Sequence, residues 1–270
     1  MRSCLAALCV AAAFAAAAPV LAQDMNRGPG NYTPSGDRPT ASDETDALKR
    51  ARIRLDLAAA YFAQGQLTTA LDEVKLALTA SPDLPQGLNL RGLIYARLGE
   101  EQLAEESFKR AIQVAPNDGD SMHNYGFFLC ERRRFDEANA LFKRALAMPQ
   151  YRTPSRTLLA QGVCEARNGQ LELAEVTLKR AYELDAANPA TAMNLADVLY
   201  RRGDYERARF YVRRVNGSAD LRNAESLWLA ARIENRLTNP QGVRELGNQL
   251  RSAYPTSREA AAFERGAFDD

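Results

Sequence analysis

From Ala51 onward the apolar residues fall at steps of three and four. Leu90, Leu93 and Ile94 form one such set, and Ala104, Phe108 and Ala111 another. That spacing places them on one face of a helix with a period of 3.6. No stretch of useful length alternates apolar and polar as a strand would. Glycine and proline interrupt the pattern at Gly65, Pro82, Gly99 and Pro116, so the helices are short and follow one another closely. Two segments depart from it. Leu5 to Ala18 is apolar without a charge. Gln23 to Ser42 is rich in Gly, Pro, Asn, Asp and Ser and has almost no large apolar residue.

The interruptions are periodic. Adding 34 to Ala58, Tyr61, Gly65, Ala70, Ala77 and Pro82 gives Gly92, Tyr95, Gly99, Ala104, Ala111 and Pro116. The next step reaches Gly126, Leu129, Ala138 and Ala145, with Arg133 in place of the glycine. A step of 36 then gives Gly162, Gly169, Ala174 and Ala181, the two extra residues falling near Met148 to Pro154. A further 34 gives Ala196, Gly203, Ala208 and Val215, and a degenerate copy fits Ala231, Leu250 and Pro255. Each copy reads as two helices. The small residue of the first (Ala58, Gly92, Gly126, Gly162, Ala196) meets the alanine of the second (Ala70, Ala104, Ala138, Ala174, Ala208) where the helices cross. Tyr95 and Phe108 fill the space beside the crossing, and Gly99 takes the left-handed conformation that ends a helix. A single copy cannot bury its apolar face, so copies stack.

These small-large-small positions resemble the tetratricopeptide-repeat (TPR) family. The resemblance implies an all-α fold, a right-handed superhelix of about six helix-turn-helix repeats. The expected units are 51–84, 85–118, 119–152, 155–188, 189–222 and 224–257, with a C-terminal helix or tail over 258–270. Residues 1–22 read as a secretory signal cut before Gln23, and 23–50 as a flexible leader. Cys4 and Cys9 lie inside the signal, and lipidation is not expected there.

Charge adds little. The chain has 35 basic and 34 acidic side chains, net +1, which gives no reason to expect a nucleic-acid partner. The runs Glu131-Arg132-Arg133-Arg134 and Arg201-Arg202 fall at turns, as a solvated turn or as a basic edge for an acidic partner. With one histidine, His123, and no ligand cluster, neither a metal nor a cofactor is expected, nor a catalytic residue. His123 is expected to line a groove or lie exposed. Cys130 and Cys164 are an even pair on neighbouring first helices. In an oxidising compartment they suit a disulfide, and the alternative is two reduced thiols packed as small hydrophobes.

In TPR folds the first helix of each unit lines the concave face, through its second, fifth, ninth, twelfth and thirteenth positions. The candidate partner groove is Asn89, Leu93 and Arg97, then His123, Phe127 and Glu131, then Leu159, Val163 and Arg167. Leu55 and Ala59 stand where chaperone-binding members carry a Lys/Asn clamp. A helix or extended segment is therefore the expected ligand.

One tract is more specific. His123-Asn124-Tyr125-Gly126-Phe127-Phe128-Leu129-Cys130-Glu131, then Tyr151-Arg152-Thr153-Pro154-Ser155-Arg156, Gln161-Gly162-Val163-Cys164 and Asn168-Gly169 resemble the type IV pilus biogenesis/stability family (PilW/PilF). The resemblance implies a non-enzymatic protein at the periplasmic side of the outer membrane that helps the secretin, the pore for the pilus, to localise and assemble, and that supports fibre stability. Its partner would be the secretin or another pilus assembly component. Family members often carry a lipid-accepting cysteine, and none follows a lipobox before Gln23. A soluble periplasmic form and a misassigned start codon both fit. Two other readings stay open: a general periplasmic adaptor for another envelope assembly, and an enzyme with thiol chemistry at Cys130.

Overall fold

The computed structural model describes residues 45–268. The expectations for the signal 1–22, and for the leader as far as residue 44, lie outside them. Thirteen helices follow one another among the described residues. They pair as α1 (Asp46–Ala63) with α2 (Leu67–Ala80), α3 (Pro85–Leu98) with α4 (Glu101–Val114), and α5 (Gly119–Glu131) with α6 (Phe135–Leu146). The later pairs are α7 (Pro154–Arg167) with α8 (Leu171–Leu184), α9 (Pro189–Arg201) with α10 (Tyr205–Asn216), and α11 (Ala224–Arg236) with α12 (Pro240–Ala253). We number these pairs units one to six. The short α13 (Arg258–Glu264) closes the array against α11 and α12. Neighbouring units stack into a TPR superhelix.

The leader expected over 23–50 is corrected at its end, because α1 begins at Asp46. Thr45 accepts a hydrogen bond from the Leu48 amide and caps the first turn. Leu48 is half-buried and packs with the core of units one and two. One capped turn with one apolar anchor suffices to extend the helix backward, and neither feature stands out in a polar stretch.

The crossings show why the repeat alternates as it does. A Cβ on Gly92 would lie 2.7 Å from Cε1 of Phe108; on Gly126, 2.8 Å from Cε1 of Phe142; on Gly162, 2.5 Å from Cγ of Leu178. Where the first helix carries alanine instead, at Ala58 and Ala196, the matching large residue shrinks to Val74 and Val212. Crossing volume is conserved by exchanging a methyl between partners. In unit six the equivalent of Phe108 is Gly247, and the Phe263 ring of α13 fills the space: a Cβ there would lie 2.0 Å from Cζ. The sixth copy looks degenerate because α13 supplies the side chain that its own second helix lacks.

Turns between paired helices need one left-handed residue. Gly65, Gly99, Gly169 and Gly203 provide it, while unit three uses Arg133 at φ 62° and unit six Thr238 at φ 54°. The arginine-rich turns are neither merely solvated nor a free basic edge. Arg134 donates to Glu105 at 2.7 Å, and Arg132 pairs with Glu101 at 3.1 Å while lying 3.7 Å above the Phe128 ring. Two units on, Arg202 pairs with Glu175 and with Glu172 at 3.5 Å, and Arg207 with Glu175 at 2.7 Å. These arginines tie units three and five to the second helices of units two and four. Arg134, first among the causes, holds the Glu105 carboxyl down at about 2.

Candidate partner-binding groove

The first helices place their inward faces along one apolar groove of about 520 Å³. Leu93 and Arg97 come from α3, His123, Phe127 and Glu131 from α5, and Leu159 and Val163 from α7. Phe127 is 42% exposed, although apolar, while the other large apolar side chains of the groove wall are buried or half-buried. Arg97 sits 5.8 Å from the Phe62 ring centroid, so one charged edge is held on the wall by a cation–π contact.

Not every expected residue opens into this space. Asn89 is a strut. Its Oδ1 accepts from Asn124 Nδ2 at 3.2 Å, and Asn124 Oδ1 accepts from Arg156 at 3.0 Å. That chain crosses α3, α5 and α7 and holds three first helices in register. Arg167 is exposed at the end of α7, outside the groove lining. Cys130 and Ala166, also at inward positions, are buried in the core.

Of the two readings of His123, the structure places it in the groove lining and not exposed, with 4% of its surface accessible at the groove floor. Its Nδ1 lies 2.9 Å from Thr157 Oγ1, which is 2.5 Å from the Tyr151 hydroxyl. With Tyr151 donating to Thr157 and Thr157 donating to Nδ1, the three-residue chain suits a neutral imidazole. Burial, then the Arg156 charge, pushes the His123 pKa down to about 3. The Tyr151 ring also lies over Gly119, where a Cβ would come within 2.5 Å. Tyr151 therefore fastens the long loop between units three and four to the start of α5.

Beneath the groove, Cys130 of α5 and Cys164 of α7 form a disulfide, with Cα atoms 5.8 Å apart. The alternative of two reduced thiols is set aside, and so is thiol chemistry at Cys130, because a bonded sulfur is not a nucleophile. Among the described residues no group of His, Cys, Asp and Glu could hold a metal ion, and no helix is long and apolar enough to cross a membrane.

Phe62, Phe108, Asn124, Phe128, Ala160 and Asn194 also line the groove and were not among the expected groove residues. Phe62 is the twelfth residue of unit one, so the positional rule finds it once it is applied to that unit. Phe128, Ala160 and Asn194 each sit one residue beyond an inward position. Real first helices are rotated slightly from the ideal register, and sequence alone carries no signal for this.

Family models described as tetratricopeptide repeat match residues 85–118, 129–189 and 165–234. Among solved structures, one described as PilW, a widely conserved type IV pilus biogenesis factor, superposes with a TM-score of 0.74 at 31% identity. The match covers 78% of this chain and 97% of that one. The chain belongs to the TPR family of type IV pilus biogenesis factors. The type IV pilus assembly protein PilF of Pseudomonas aeruginosa is 27% identical over 233 residues, 85% of this chain and 91% of that protein. A structure of Pseudomonas aeruginosa PilF shares the fold, with a TM-score of 0.71 at 24% identity. Within this family the tract that carried the sequence resemblance has a mechanical role here. It contains the disulfide, the Tyr151–Thr157–His123 chain and Phe127.

Proposed function

We propose that this protein is a non-enzymatic periplasmic scaffold for type IV pilus biogenesis. It works at the inner face of the outer membrane and helps the secretin assemble by holding one of its segments in the groove of units one to four. The observation that carries the reading is Phe127. A family member has placed a large aromatic side chain, 42% exposed, in the wall of an apolar groove whose frame is cross-linked by a disulfide. Exposed aromatics are costly to solvate and are favoured as interface anchors. A groove braced by a hydrogen-bonded strut and a disulfide is pre-organised, so a ligand loses less entropy on binding. A disulfide also suits an exported chain. Leu93, Leu159 and Val163 offer anchor sites at helical spacing, and Arg97 and Glu131 offer charges of both signs to fix register.

The test is secretin multimerisation in a deletion strain. Loss of the multimer on unboiled gels, with loss of surface pili, is expected. The intact gene should restore both, and a Phe127→Asp copy of equal abundance should not. Normal multimers and pili in the deletion strain would remove the pilus reading. They would leave a periplasmic adaptor for another envelope assembly.

A further inference from the structure

The inward face does not end at Val163. In units five and six the same helical positions are Tyr200 on α9 and Trp228 and Arg232 on α11, and there the chain binds itself. Gly266, at φ 67°, ends α13 in the left-handed conformation, and the Ala267 amide donates to Ala262 O at 3.0 Å. This turn delivers Phe268 to the inward wall. Its ring lies 5.3 Å from Trp228 and 5.7 Å from Phe263. Its carbonyl accepts from Arg232 Nε at 3.2 Å and from the Tyr200 hydroxyl at 3.4 Å. The Arg232 guanidinium lies 4.7 Å from the Tyr200 ring centroid, so the donor is aimed before the carbonyl arrives.

We infer that units five and six form a second peptide site, filled in cis by residues 266–268, and that it takes in trans a segment presenting an aromatic side chain whose own carbonyl is free. Each half of that chemistry is present. Trp228 offers a flat apolar surface for an aromatic ring. Arg232 and Tyr200 converge two donors on one main-chain oxygen. The resident segment is held differently from the helix that precedes it. The Phe263 ring of α13 fills the space over Gly247, and Glu264 pairs with Arg251 at 2.9 Å. Phe268, by contrast, is half-buried and held by two long hydrogen bonds and ring contacts. Trp228 and Arg232 also line an open cavity of about 660 Å³, so a competing segment can reach them. A tethered occupant acts at an effective concentration near millimolar, which weakens any outside ligand without abolishing it.

Trp228 is the only tryptophan in the chain, so its emission reports the site directly. The probe is a synthetic peptide of residues 258–270 of this chain, added to the full-length protein and to full-length Phe268→Ala. The variant is expected to show red-shifted Trp228 emission with unchanged helical circular dichroism. The peptide should bind it saturably and reverse the shift, at least tenfold more tightly than it binds the wild type. Adding Arg232→Ala to the variant, or Phe268→Ala to the peptide, should remove that binding. Unchanged emission in the variant, or equal affinity for both proteins, would overturn the inference. Hydrogen exchange on the wild type decides independently of any variant. The Ala267 and Phe268 amides should exchange well before those of α13, and protection equal to that of α13 would make the segment a fixed part of the fold.

Discussion

At the residue scale the crossings are the least tolerant positions. The Phe108 ring that covers Gly92 is itself backed by Tyr125 at 5.7 Å and Phe128 at 5.5 Å, so it cannot swing aside. Gly92→Ala is expected to cost about 1–3 kcal/mol, read as a fall of several degrees in Tm. Arg133→Gly should act oppositely. It relieves a left-handed non-glycine residue on an exposed turn, against glycine's larger loss of freedom on folding, for a net gain of about 0.5–1 kcal/mol in denaturant titration. His123 gives the chain a pH signature. Its pKa of about 3 lies below the usual 6.5, so the unfolded state binds the proton more readily. Its contribution to stability is complete above pH about 6.5 and is lost as pH falls from there toward 3. Unfolding midpoints measured from pH 7 to pH 4 should fall, and His123→Gln should flatten the slope. Buried Glu165 has the opposite sign. Burial is the first cause and raises its pKa, against lowering by Thr177, Gln161 and Lys143. Keeping it ionised costs stability at neutral pH. Glu165→Gln should therefore stabilise at pH 7, with the gain shrinking on acidification.

At the element scale the chain's organisation is largely legible in the sequence. The recurrence of Gly92, Gly99 and Ala104 at fixed offsets, with Pro82 and Pro116 just past the second helices, reports helix pairs directly because each feature has a local steric cause. What was not legible depended on partners distant in sequence. The arginine runs look like solvated turns until Glu105 and Glu175 are seen beneath them. Gly247 looks like a lapse until Phe263 arrives from another helix. His123 sits at an inward position, yet Thr157 and Tyr151 draw it to the floor. The disulfide belongs to this scale too, since it joins α5 to α7 across a separation of 34 residues. Replacing both cysteines with alanine should cost about 3–4 kcal/mol on the chain-entropy account. Hydrogen exchange should place the loss in α5 and α7 rather than in α1 or α11.

At the scale of the whole molecule, the array offers partners two walls of different character. Units one to four present an open apolar groove, braced by the disulfide and by the Asn89–Asn124–Arg156 chain. Units five and six present a polar wall on which the chain's own Phe268 rests. On the proposed reading, a partner segment would begin at Phe62 and Phe127 and run along the inner face as far as Phe268. In-cell photocrosslinking tests whether the groove holds a secretin segment. A photoreactive amino acid would replace Phe127 in one strain and Val176, which is 66% exposed on α8 and outside the groove, in another. A crosslink to the secretin is expected from position 127 and none from position 176. No secretin adduct at 127, or equal adducts at both positions, would contradict binding in the groove.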